Sequence, residues 1–155
     1  MKRLLQLQSF IFGSGTIFAY YTVFADFSRF YGFEGTFFKF TGCVVPNPLL
    51  TPCFYGAFAF LFGFVWSLFI LRGGEAFRTK HQLYLMLLGL AGTIFAWGNT
   101  AYGFYKFYVL NNNTGCSGVP TESPFFTPCM VGAIIFAVAF AVTVFARRKT
   151  RLTST

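Results

Sequence analysis

The side chains best suited to chemistry in this sequence are its four cysteines, Cys43, Cys53, Cys116 and Cys129. Two of them, Cys53 and Cys129, follow identical Thr-Pro steps at Thr51-Pro52 and Thr127-Pro128. Thr as N-cap and Pro at the first helical position mark a helix start, so each sulfur belongs just inside a helix N-terminus. The positive end of the helix dipole there favours a thiolate, the form that attacks disulfides and binds metals. The plainer role is structural, with the cysteines paired to staple loops onto helix ends. Redox pairs usually take Cys-x-x-Cys spacing, whereas nine residues separate Cys43 from Cys53.

A second set is charged. Asp26 and Arg29 stand three apart, a spacing that lets them pair on one helix face. Later in the chain Lys106 takes the place of Arg29, and Gly103 that of Asp26. Asp26, Arg29 and Lys106 form a candidate polar or anion-binding site, with interfacial anchoring of helix ends as the simpler account. Asn99 and Thr100 suit an interhelical hydrogen bond. Asn112-Asn113-Thr114 matches a glycosylation acceptor, usable only on the outer side of a eukaryotic membrane.

The elements that position these groups are membrane helices. Hydrophobic residues make up 55% of the 155 and charged residues only 10%, a balance a water-soluble domain cannot hide. Four apolar runs reach the length of about 20 residues that crosses hydrocarbon, from Leu4 to Phe27, Cys53 to Leu71, Leu83 to Leu110 and Cys129 to Ala146. Backbone groups in lipid must pair within the segment, so each run is read as a helix; no alternation of the barrel type is present. The basic start at Met1 to Arg3, with Val23-Phe24-Ala25 downstream, has the form of a cleavable leader, but the same pattern recurs inside the chain and is expected to remain as a helix.

The formal charge of +8 follows the same plan. Lys2, Arg3, Arg72, Arg78, Lys80, Arg147, Arg148, Lys149 and Arg151 fall on one side of the spans with Glu75 as the only acid. Arg29, Lys39 and Lys106 on the other side are balanced by Asp26, Glu34 and Glu122. The positive-inside rule puts both termini and the loop 72–82 in the cytoplasm, with loops 28–52 and 110–128 outside. The basic balance is topological, and nucleic acid is excluded as a partner. All four cysteines then lie in the compartment that permits disulfides. His81, the only histidine, lies on the opposite side, so no Cys-His metal centre is expected.

Order and spacing also repeat. Gly15-Thr16-Ile17-Phe18-Ala19 recurs as Gly92-Thr93-Ile94-Phe95-Ala96, Thr41-Gly42-Cys43 as Thr114-Gly115-Cys116, and Thr51-Pro52-Cys53 as Thr127-Pro128-Cys129. The chain reads as two copies of helix, outer loop, helix, repeat A over 10–72 and repeat B over 87–148. Each copy has two spans, so both insert the same way round, giving an all-α four-helix bundle of two tandem hairpins about a pseudo-twofold axis along the membrane normal. Gly15 with Ala19, and Gly92 with Ala96, supply the small-residue spacing that lets membrane helices approach. Gly56, Gly63 and Gly132 fit the same role. One bond per copy, Cys43–Cys53 and Cys116–Cys129, is the pairing the repeat favours.

With four spans, both ends inside and a cysteine pair in each outer loop, the layout resembles disulfide bond formation protein B, the quinone-linked thiol oxidase. The likeness is of topology over the whole chain; that family's Cys-x-x-Cys in the first outer loop is absent, and no residue role carries over. Three functions follow as expectations. The first is a non-enzymatic multi-pass protein of the cell membrane, an accessory subunit or self-associating scaffold whose partners are the bilayer and other membrane subunits or itself. The second is a quinone-linked thiol-disulfide oxidoreductase, and the third a small transporter. No cofactor is required by the first; a bound lipid or quinone fits the Phe-rich spans.

Overall fold

The structure, a computed structural model, describes residues 2–115 and 118–153, with side chains described as far as Thr150. The described residues form four α-helices and no strand: α1 Lys2–Glu34, α2 Pro52–Arg72, α3 Glu75–Tyr108 and α4 Pro128–Thr153. Single 3-10 turns at Pro48–Leu50 and Pro124–Phe126 lead into α2 and α4. At about 1.5 Å per residue, even the 21 residues of α2 span the thickness of a hydrocarbon core, about 30 Å. All four helices are long and apolar enough to cross a membrane, α4 over Pro128–Thr150.

Each helix packs on its partner in sequence, α1 on α2 and α3 on α4. The two hairpins join through α1 against α4 and α2 against α3, with a lighter contact between α2 and α4. One end of the bundle carries the chain termini and the α2–α3 connection, here the turn end. The loop end carries the connections within the two hairpins and the cysteines.

Three helices run further than the apolar pattern indicates, α4 continuing past Ala146 to Thr153. α1 continues past Phe27 to Glu34, where Gly35 turns left-handed at φ +68° and its N–H closes on the Tyr31 carbonyl at 2.9 Å. Glycine takes that conformation without Cβ strain. At the turn end, α3 starts at Glu75, so the loop expected over 72–82 shrinks to Gly73 and Gly74 between the helices. The basic residues there are good helix formers, and Arg78 also closes the preceding helix. Its Nε donates to the Ile70 carbonyl and its Nη2 to that of Leu71, both at 3.2 Å, supplying partners that the last turn of α2 lacks within itself.

The core is aromatic and tight. Phe60 of α2 and Phe136 of α4 stack with centroids 3.8 Å apart and planes at 21°. Gly15 on α1 lies against the first ring and Gly92 on α3 against the second; a Cβ at either would come within 2.5 Å of ring carbon. These glycines therefore admit a neighbour's ring rather than a neighbour's backbone. Gly63 likewise receives Phe12. Gly56 and Gly132, expected to pack closely, instead face open space with nothing within 4 Å of a built Cβ. Hydroxyls along the helices donate to their own backbones three or four residues back, as Ser67 does to Phe64, Thr16 to Phe12 and Thr93 to Gly89.

Candidate functional site

The loop end assembles Cys53 and Cys129 by the same local route. Asn47 accepts a hydrogen bond from the Leu49 N–H at 2.9 Å and Ser123 from that of Phe125 at 3.3 Å, each opening a 3-10 turn. Those turns close on Thr51 and Thr127, whose hydroxyls donate back to Pro48 and Pro124 at 2.7 and 2.9 Å. Both threonines sit at helix starts as expected, but their hydroxyls tie down the preceding turn rather than cap the helix. Pro52 and Pro128 then begin α2 and α4, leaving each cysteine one residue inside its helix.

This construction brings the two sulfurs together. Cys53 Sγ lies 3.9 Å from Cys129 Sγ, within reach of a weak sulfur hydrogen bond. The carbonyl of Cys129 also receives the Thr100 hydroxyl at 3.4 Å, the interhelical bond expected for that threonine, while Asn99 donates within its own helix to Phe95. Beneath the sulfurs lies an apolar cavity of about 50 Å³, lined by Ala19 and Ala96, Gly56 and Gly132, and floored by Phe60 and Phe136. That volume holds a water or two but falls well short of the roughly 300 Å³ at which pockets for larger ligands begin.

The expected Cys43–Cys53 bond is not formed. Neither cysteine is disulfide-bonded. Loop 35–51 is closed by other means, because the Asn47 amide donates to the carbonyls of Phe37 at 3.2 Å and Lys39 at 2.9 Å. Cys43 donates to the same Lys39 carbonyl at 3.4 Å, while Cys53 faces the bundle centre. Glu34 reinforces the loop, accepting from Lys39 Nζ at 2.5 Å and the Val44 N–H at 2.6 Å. These two donors hold the Glu34 carboxyl below its ordinary value, and the carboxylate in turn raises Lys39. Cys129 is not among the thiols, and its expected partner, Cys116, lies outside the described residues.

Of the charged candidates, Asp26 and Arg29 pair at 3.2 Å, with Asp26 buried. They border a cavity of about 310 Å³ between α1 and loop 109–127. Lys106 engages its own hairpin, reaching Thr114 Oγ1 at 3.4 Å and standing 5.9 Å over the Tyr102 ring. A polar group that the sequence reading passed over lies towards the turn end. Gln82 donates to Gln8 Oε1 and Gln8 to Thr143 Oγ1, both at 3.0 Å, linking α3, α1 and α4 through buried side chains. The available signal was Thr143, a polar residue inside the apolar run from Cys129 to Ala146. Among the described residues no group of three potential metal ligands occurs.

No protein-family model, curated protein or solved structure matches this chain.

Proposed function

We propose that the chain is a non-enzymatic multi-pass protein of the cell membrane, an accessory subunit or self-associating scaffold, with both termini and the α2–α3 turn in the cytoplasm. The observation that carries this reading is the distribution of large apolar side chains. Phe10, Ile17, Phe24, Phe62, Ile94 and Phe145 stand outward from the helices, while the interior is filled by stacked rings against glycine. Such a surface needs lipid or another apolar protein around it. The two hairpins are related as tandem copies, and a Cys116–Cys129 bond ties the second outer loop to α4. Bound lipid or quinone would sit against this surface. Native mass spectrometry of the protein extracted with its lipids tests the assignment. A mass that is a multiple of 17.4 kDa, or that includes a second subunit, is the expected result. A bare monomer from native membranes counts against it.

A second reading, a thiol-disulfide oxidoreductase, draws on the 3.9 Å approach of Cys53 and Cys129. It requires cysteines that cycle with an added outer-side thiol protein, together with co-purified isoprenoid quinone. Turnover by that pair would replace the scaffold reading; inert cysteines would remove the enzyme.

A further inference from the structure

We infer that the cavity between α1 and residues 118–127 of the second hairpin's loop holds one phospholipid, its phosphodiester on Arg29 and an acyl chain running along α1 towards Phe18. The inference rests on the membrane-spanning reading proposed above and adds a site of defined chemistry to it. The cavity, of about 310 Å³, reaches the size at which pockets for larger ligands begin. Its lining changes character along α1. Asp26 and Arg29 stand at the loop end, and Phe18 lies about 16 Å from Arg29 along the helix axis, at about 1.5 Å per residue. A charged head and an apolar body at that separation suit an amphiphile rather than a small soluble ion. Tyr21 and Phe126 both line the cavity and remain 72% and 89% exposed, so it is continuous with the apolar outer surface and a chain can enter from the side.

Arg29 is the cation among the lining residues, and Asp26 aims it. The bond from its Nη1 to the buried Asp26 carboxylate at 3.2 Å holds the guanidinium against α1 while the Arg29 side chain stays 38% exposed, so further donors of the planar fork can meet a phosphodiester. The acid also sets the class of ligand. Beside a carboxylate, the guanidinium exerts little long-range pull on a free anion, so a phosphate is held where apolar contacts add to its hydrogen bonds. The facing wall is fixed by its own backbone: the Gly115 N–H donates to the Val119 carbonyl and the Thr121 N–H to that of Asn113, both at 2.7 Å. The hydroxyls of Thr22, Thr121 and Thr127 already donate to backbone carbonyls, which leaves the guanidinium as the charged donor.

Native mass spectrometry of the full-length protein in detergent tests the site with dioleoylphosphatidylcholine, with dioleoylglycerol, which has the chains without the phosphodiester, and with glycerophosphocholine, which has the headgroup without the chains. One phosphatidylcholine per chain, bound about tenfold more tightly than either of the other probes, is expected. Asp26→Asn with Arg29→Gln removes both charges together, and Ala25→Leu fills the cavity with the ion pair in place; each should weaken phosphatidylcholine binding about tenfold while helix content by circular dichroism is unchanged. Equal binding of dioleoylglycerol would assign the lipid to apolar surface alone, and equal binding of glycerophosphocholine would assign the site to a soluble anion. Either result overturns the proposal, as does undiminished phosphatidylcholine binding in either folded variant. Alkaline carbonate extraction separates the site from the membrane reading. Protein that stays in the membrane without binding phospholipid here overturns the site alone, whereas protein released by carbonate overturns both.

Discussion

Gly15 and Gly92 show how much depends on single atoms in this core. A methyl group at either would press on Phe60 or Phe136, and neither ring can yield, since each is stacked on the other. Gly15→Ala and Gly92→Ala are expected to cost about 1–3 kcal/mol each, read as a lowered midpoint of thermal unfolding in detergent. Gly56→Ala and Gly132→Ala meet open space and should leave the midpoint unchanged or raise it. The glutamine link allows a second comparison. Gln8→Leu strands Gln82 Nε2 and should cost about 1 kcal/mol, whereas replacing Gln8 and Gln82 together removes both buried amides and should restore most of that loss. Gln82 Oε1 is already without a hydrogen-bond partner, which favours the double replacement. The paired positions of the glycines were legible in the sequence; their partners were not, because spacing along a helix does not say whether a ring or a backbone fills the gap.

At the scale of the element, the first hairpin's loop is held by Glu34 where a disulfide was expected. The folded carboxyl titrates below its reference value of 4.5, so its contribution is present above that value and is lost as pH falls through the lowered one. Lys39 is raised above 10.5, so its contribution is complete below that value and is lost only as pH rises beyond it. Hydrogen exchange at the Val44 amide, which donates to Glu34, should therefore lose protection as pH falls below the reference value of 4.5 and through the lowered one. Glu34→Gln should flatten that profile, and an unchanged acid limb in the variant would show that another group holds the loop. Compartment and repeat suggested the disulfide, but they carry no information about Asn47, whose two carbonyl contacts close the loop without it. Helix starts at Thr51-Pro52 and Thr127-Pro128 were readable because Pro fixes local backbone geometry. Helix ends were not: charged residues such as Arg78 continue a helix as readily as they leave one.

For the whole molecule, hydropathy gave the four helices and their order, since apolar runs of this length have few other solutions. The approach of Cys53 to Cys129 belongs to packing between hairpins and could not be read from spacing within either one. The proposed orientation joins these levels by placing the cysteine-bearing end outside the cell and the basic ends within it. Labelling of intact cells with a membrane-impermeant maleimide tests it directly, comparing native Cys43 with Thr155→Cys in a variant whose four native cysteines are replaced by Ser. Cys43 labelled in intact cells, with the added cysteine labelled only after permeabilisation, is the predicted result; the added cysteine labelled in intact cells and Cys43 only after permeabilisation would contradict it.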